Sequence, residues 1–320
     1  MSAPAIHKPK LGISACLMGD EVRFNGGHKE SHLCTRELTE YFEFVTACPE
    51  VAIGMGIPRE PIRLVGDPQN PQAIGSVNSA LNVTASLAAY GVQMAEELGD
   101  ICGYIFMQKS PSCGLERVKV YRENGAPVDG GGRGIYAQAF CERHPNLPVE
   151  EDGRLNDAVL RENFITRVFA YAAWQELLKA GISRRSLTEF HSRYKYQLMA
   201  NDPVQYKVLG NLLGSMGRSD PNEIAPRYFS DLMAALKKPA TRRTHTNVLQ
   251  HISGYLKQTL TAADKQEIQQ LIAQYHQGIV PLIVPLTLLK HHFRQHPDPY
   301  VALQVYMQPH PENLSLRNAI

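Results

Sequence analysis

Three short apolar runs, each ending in a loop that carries a cysteine, constrain this chain more than any other feature. Leu11 to Ala15 (LGISA) runs into Cys16, Phe42 to Ala47 (FEFVTA) into Cys48, and Gly103 to Gln108 (GYIFMQ) into the loop KSPSCG with Cys113. Apolar runs this short, bounded by Gly and Pro, predict buried strands. Helical stretches are expected from Val77 to Leu98 and from Ile135 to Arg143, and a weak strand from Arg117 to Tyr121. Strands alternating with helices predict a parallel, doubly wound sheet. Ligands of such sheets bind beyond the C-terminal strand ends, where Cys16, Cys48 and Cys113 all stand. Cys102 begins its strand and belongs at the opposite edge, while Cys34 and Cys141 fall in helix-like segments.

Each cysteine taken singly reads as an inert buried thiol, whereas three thiolates gathered at one edge suit a soft metal: zinc with a fourth ligand, or an iron–sulfur cluster with one iron open. No CxxC pair occurs among the six cysteines, so zinc-ribbon and ferredoxin spacings are excluded. Candidate proton-handling groups lie close by. Glu50 is two residues past Cys48, and Ser110 and Ser112 flank Pro111 ahead of Cys113. Taken alone, Glu50 reads better as a helix cap or as the partner of Arg59 or Arg63.

The patterning changes after Pro148. Glu150 to Gly153 reads as a polar break, and from Asp157 onward the chain is helical in period. Helices are expected over Arg161–Ala180, Ser186–Ala200, Pro203–Met216, Pro226–Leu236, Thr246–Leu260, Ala262–Gln277 and Val284–His296. The expected architecture is a Rossmann-like α/β domain with a parallel sheet (residues 1–155), then an all-helical domain (residues 156–320).

Charge divides along the same line. Residues 1–160 carry 14 Lys+Arg against 20 Asp+Glu, and residues 161–320 carry 19 against 11. An acidic half beside a basic one suits a catalytic domain joined to a polyanion-binding one. Arg193, Lys195, Lys237, Lys238, Arg242 and Arg243 are the candidate RNA contacts. Tyr194, Tyr196 and Tyr255 lie among them as candidate stacking partners or as core.

The glycine run GGGRG (Gly130 to Gly134) reads as a turn rather than a phosphate loop, since it lacks the P-loop Lys-Ser/Thr. His291, His292 and His296 read as a basic, partly exposed surface. The start, Met1 to Lys10, has no apolar leader core, and Pro281 and Pro285 break the longest apolar stretch, Ile279 to Leu289. The expected location is cytoplasmic, with no membrane partner, and the oligomeric state stays open.

The motifs ISACLMGDEVRFNGG (Ile13 to Gly27), ACPEVAIGMGIPREPIRLV (Ala47 to Val65) and KSPSCG (Lys109 to Gly114) resemble the bacterial thiouracil desulfidase family. That resemblance implies a [4Fe–4S] cluster held by Cys16, Cys48 and Cys113, with catalytic roles for Glu50 and Ser110. One departure is Asn82, where relatives often carry Asp. FHSRYKYQLMA (Phe190 to Ala200), HTNVLQHISGYLK (His245 to Lys257) and GIVPLIVPLTLLKHH (Gly278 to His292) resemble a helical YbgA-type domain often fused to it. Such fusions resemble enzymes that convert 4-thiouridine in tRNA to uridine. The implied function is a non-redox exchange of sulfur for oxygen, with the open iron as Lewis acid for the sulfur. Two other readings remain: a desulfidase of free thiolated pyrimidines whose helical half oligomerises, and a cluster-bearing regulator that binds nucleic acid without catalysis.

Overall fold

The computed structural model describes residues 8–217 and 220–320. Met1 to His7, part of the stretch read for a leader, lies outside the described residues. The chain divides into two compact units, Met1–Asn156 and Asp157–Ile320.

The first unit is built on a four-stranded parallel sheet in the order β2-β1-β5-β7. Its strands are β1 (Lys10–Ser14), β2 (Glu43–Ala47), β5 (Gly103–Phe106) and β7 (Val149–Glu151). The chain leaves β1 for β2 on one side, and β5 and β7 lie on the other. The direction of winding therefore reverses between β1 and β5, where open sheets of this kind form a crevice. Gly12 of β1 faces Tyr104 of β5 in register. A Cβ there would sit 2.2 Å from the Tyr104 ring, so only glycine admits this aromatic core. Tyr104, Phe106, Tyr136 and Phe140 fill that core and are almost wholly buried.

A smaller sheet has the order β4-β3-β6, from β3 (Ile62–Asp67), β4 (Asn70–Gly75) and β6 (Val120–Tyr121). It packs Leu64, Ala73 and Val120 against Leu87 of α2 (Thr84–Glu97) and Ile135 of α3 (Ile135–Arg143). Neither strand of the β3–β4 hairpin is among those expected from the apolar runs. Helix α2 begins seven residues later than its periodicity suggests. Val77 is 88% exposed, and Asn82 Oδ1 accepts from the Thr84 amide in a local turn that starts the helix. The Glu150–Gly153 break also resolves differently. Val149 to Glu151 pairs with β5 as an edge strand, and Glu151 turns inward to accept from the Leu115 amide at 2.8 Å.

The second unit is all-helical: α4 (Ala158–Ala180), α5 (Arg184–Asn201), α6 (Pro203–Gly214), α7 (Pro221–Leu236), α8 (Arg242–Ser253), α9 (Ala262–His276) and α10 (Ile283–Gln295). Asp157, Ser183, Asp202, Asp220, Thr241 and Thr261 cap the first six through their side chains. Each cap satisfies amides that the first turn leaves free, worth about 1 kcal/mol. Helix α7 starts at Pro221, five residues before the expected Pro226, which lies inside it. Two apolar clusters hold the unit together. Trp174 stacks on Phe229 at 4.7 Å in one, and Leu249, Ile272, Leu286 and Tyr306 anchor the other. Among the described residues no helix is long and apolar enough to cross a membrane.

Candidate metal centre and active site

The crevice beyond β1 and β5 is a cavity of about 430 Å³, within the usual size range of small-molecule sites. Cys16, Cys48, Glu50, Ser110 and Cys113 all line it. They come from three kinds of local structure. Cys16 lies in a tight turn (Ala15–Met18) that Gly19 closes with φ 96°. Cys48 precedes the short helix α1 (Pro49–Ala52), whose first turn carries Glu50. Ser110 and Cys113 share the loop after β5. Cys34, Cys102 and Cys141 do not line this cavity.

The Cys113 loop is shaped by its own serines and by a glycine from elsewhere. Ser110 Oγ accepts from the amides of Ser112 (3.2 Å) and Cys113 (3.1 Å). Gly134, the last of the GGGRG run, comes so close that a Cβ would lie 2.5 Å from the Ser112 carbonyl. That run turns through Gly130 and Gly131 at positive φ and seats the cysteine loop, consistent with the turn reading. Ser14 Oγ accepts from the Met107 amide at 3.0 Å, tying the ends of β1 and β5 together beside the cysteines.

Glu50 is clamped from both sides. Arg59 Nε donates to Oε2 and Ser112 Oγ to Oε1, each at 2.8 Å. The same guanidinium donates to the carbonyls of Gly56 and Val22. Glu50 thus has the Arg59 partner its sequence position allowed, and it still lines the cavity. Its tie to Ser112 has no local signal in the sequence, because the two come from different loops.

Burial raises all three thiols. Cys16 is pushed up to about 11, by burial and by Cys48, with Arg23 opposing. Cys48 is raised by burial, and a backbone hydrogen bond from Val51 opposes it. Cys113 is raised well above its usual range by burial; a Ser14 hydrogen bond opposes this, and Glu50, Cys16 and Cys48 add to it. A bound cation reverses such shifts by stabilising the thiolates.

The chain matches two family models: 2-thiouracil desulfurase over residues 11–152, and a protein of unknown function (DUF1722) over residues 195–311. It is 30% identical to the uncharacterized protein YbgA of Escherichia coli over 159 residues, 49% of this chain and 94% of that protein. It is also 30% identical to the uncharacterized protein YbbK of Bacillus subtilis over 160 residues, 45% of this chain and 97% of that protein. The chain belongs to the 2-thiouracil desulfurase family, with a DUF1722 unit in the same polypeptide. A solved structure described as a [4Fe-4S]-dependent thiouracil desulfidase is 28% identical, covering 47% of this chain and 94% of that one, with a TM-score of 0.35.

In the DUF1722 unit the candidate RNA contacts fall into two segments. Lys237, Lys238, Arg242 and Arg243 follow one another across the α7–α8 connection, all exposed. Lys238 pairs with Asp202, and Arg242 lies over the Tyr275 ring at 5.1 Å. Arg193 is exposed on α5, and Lys195 rests over Tyr196 (5.1 Å) and Tyr300 (5.6 Å). Of the tyrosines, Tyr194 and Tyr196 are core, 3% and 2% exposed, because α5 is covered on two sides, Tyr194 packing in the cluster of Trp174 and Tyr196 in that of Leu249; Tyr255 is 39% exposed. His292 is buried too, unlike the surface expected for it, since it shares the inward stripe of α10 with Leu289.

Proposed function

We propose that this chain removes sulfur from 4-thiouridine in tRNA, with the desulfurase-family unit as catalyst and the DUF1722 unit holding the RNA. The observation that carries the reading is the convergence of Cys16, Cys48, Cys113, Glu50 and Ser110 on one cavity at the switch point of the sheet. The donor set fits an iron–sulfur cluster. Three thiolates around a cavity suit a polynuclear group, whose ligands bind different irons and need not converge on one point. Cys16, Cys48 and Cys113 would hold a [4Fe–4S] cluster. When bound, it supplies a soft Lewis acid matched to a thiocarbonyl sulfur.

The exchange is C4=S plus water giving C4=O plus hydrogen sulfide, with no net transfer of electrons. Glu50 takes a proton from the attacking water, and Arg59 and Ser112 hold its carboxylate in place. Ser110 keeps the Cys113 loop in shape through its two amide contacts and orients water or the ring with its hydroxyl proton. Exposed cations on the DUF1722 unit hold phosphates, and a cytoplasmic enzyme would meet its tRNA there.

The test is anaerobic incubation of the iron-loaded protein with bulk tRNA, followed by nucleoside analysis. Loss of 4-thiouridine with matching release of sulfide is expected. Unchanged 4-thiouridine rejects the reading. The family description favours a second one, desulfuration of free thiolated pyrimidines, and sulfide release from 2-thiouracil but not from tRNA would select it.

A further inference from the structure

We infer that the helical unit holds a second binding site, a cavity of about 230 Å³ that takes a uracil-type base by its imide edge. The site goes beyond the desulfuration reading, since it stands in the other unit and needs neither sulfur nor metal. Two side chains that line it are more than nine-tenths buried: Glu162 is 6% exposed and His245 4%. Each has a polar atom without a partner. Glu162 Oε1 accepts from Arg317 Nε at 3.0 Å and has His310 Nε2 at 3.7 Å, while Oε2 takes no hydrogen bond from the described residues. His245 Nδ1 lies 2.9 Å from the Tyr306 hydroxyl, and Nε2 has no partner among the described residues. Buried polar atoms need partners, and the cavity is the space from which one can reach these two.

Neighbours set what each atom offers. The Tyr306 hydroxyl is fully buried, and His245 is its hydrogen-bond partner. Its proton goes to Nδ1, because the opposite arrangement would strand a buried O–H. That tautomer leaves the ring proton on Nε2, a donor toward the cavity. Burial keeps the ring neutral, with its pKa down at about 4. Glu162 is the acceptor. Burial raises its carboxyl, but the His310 hydrogen bond and Arg317 outweigh it and hold it ionised, at about 2. Arg242 adds a second donor. Its Nη1 donates to the Tyr275 carbonyl at 3.2 Å and its guanidinium lies 5.1 Å from the Tyr275 ring, which fixes it at the wall. Val159, Ala240 and Ile320 line the rest with apolar surface. So small a cavity suits a single ring. Two donors and one anionic acceptor match an edge that runs C=O, N–H, C=O, and among the pyrimidines uracil carries it. Cytosine has a lone pair at N3 in place of the proton, which the Glu162 carboxylate repels. The edge belongs equally to a free nucleoside and to an unpaired uridine of an RNA.

The test is photo-cross-linking, which reports where a base sits. 5-Iodouridine and 5-iodocytidine are irradiated with the iron-loaded full chain, and the adducts are mapped by mass spectrometry. 5-Iodouridine is expected to label residues 158–162, 240–245 or 275 around the cavity, at least about tenfold more than 5-iodocytidine, and unmodified uridine should compete. Val159 is 38% exposed, so Val159→Trp fills the cavity from its open edge and should abolish this label. Arg242→Ala should reduce it severalfold, and it tests the site at an exposed residue where tryptophan at 159 disturbs α4. Adducts in the first unit report the other cavity and should be the same in both variants, so failure of the desulfidase reading leaves this result untouched. A single-stranded oligouridylate carrying one 5-iodouridine separates the two sources. Label from the RNA and none from the nucleoside assigns the site to an RNA base, and the reverse assigns it to a free nucleoside. No label from either, equal label from the two nucleosides, or label unchanged in Val159→Trp and Arg242→Ala overturns the site.

Discussion

The Ser112 hydroxyl donates a 2.8 Å hydrogen bond to Glu50 Oε1 across 62 residues of sequence. This bond joins the cysteine loop after β5 to the helix that follows Cys48, so Glu50 and Cys113 share a frame. Ser112 is fully buried, and its loss leaves Glu50 held by Arg59 alone. Ser112→Ala is expected to lower kcat by about tenfold, the scale of one hydrogen bond to a charged group, with iron content unchanged. Glu50→Ala should cost about 10²- to 10⁴-fold, the usual scale for a positioned acid–base group. Full turnover in Glu50→Ala would remove Glu50 from the chemistry.

The six cysteines should separate into two sets of three. Serine at 16, 48 or 113 is expected to lower iron content and visible absorbance after anaerobic reconstitution, since an oxygen ligand is a poor replacement for thiolate on iron. Serine at 34, 102 or 141 should leave both intact, because none of these lines the cavity. A Cys48→Ser protein with a complete cluster would sink the assignment.

The three cysteine-bearing strand ends were legible because β1, β2 and β5 are short apolar runs and the chemistry follows each one. Strand β7 was not, because its polar Glu150 and Glu151 sit on an edge strand where one inward carboxylate caps the Leu115 amide. The β3–β4 hairpin was hidden because β3 starts inside a motif whose prolines and charges mask its alternation, and β4, beyond that motif, carries Pro71. In the helical unit the period of 3.6 marked every long helix. It could not tell which tyrosines face inward: Tyr194 is buried on α5, whereas Tyr255 stands in the single turn that follows α8 (Gly254–Leu256) and is 39% exposed. The Ser112–Glu50 bond joins segments that meet only in three dimensions, so no local pattern carries it.

Gly134 gives a test of the frame that touches no functional side chain. A methyl group there would lie 2.5 Å from the Ser112 carbonyl carbon and 2.8 Å from the Cys113 amide nitrogen. Backbone cannot yield as a flexible side chain can, so Gly134→Ala should displace the cysteine loop and lower iron content. Gly254→Ala, where a Cβ meets nothing within 4 Å, is the control. Equal iron content in both variants would mean that the loop is not seated by this contact.

Exposed cations on the DUF1722 unit should contribute to tRNA binding in proportion to their freedom. Arg242 and Arg243 occupy the first turn of α8, where the helix dipole disfavours positive charge by about 0.3–1 kcal/mol. Removing one cation that neutralises a phosphate should shallow the log–log salt dependence of affinity by about 0.7–0.9. Arg243→Ala is expected to do so, whereas Lys238→Ala, whose ammonium is paired with Asp202, should do so less. Identical slopes in wild type and Arg243→Ala would exclude a phosphate contact at that residue.

Burial lowers His191 as well as His245 in the helical unit, so acid should weaken that unit before it reaches the ordinary carboxylates, and His245 is the group to test. Its Nδ1 lies 2.9 Å from the Tyr306 hydroxyl, and the residue is 4% exposed. Burial holds its pKa down to about 4, helped by Arg317 and Arg242 and opposed by Glu162. An unfolded histidine takes its proton near 6.5. Between those values the unfolded chain binds the proton and the folded one does not, so stability falls as pH drops from 6.5 to 4. Two and a half pH units of difference correspond to about 3 kcal/mol at most. Glu162 acts in the same direction lower down. Burial pushes its carboxyl up, but the His310 hydrogen bond and Arg317 outweigh it and hold it at about 2, against 4.5 unfolded. Its contribution is present above 4.5 and is lost as pH falls from 4.5 to 2. The window from 6.5 to 4.5 therefore separates His245 from Glu162. Trp174, the single tryptophan, is 3% exposed in this unit and reports its unfolding by fluorescence. Urea midpoints at pH 7, 6 and 5 should fall with pH in the wild type and fall less in His245→Gln, whose side chain keeps a polar partner for Tyr306 without a titrating group. Parallel slopes in the two proteins would show that the acid sensitivity in this window comes from elsewhere.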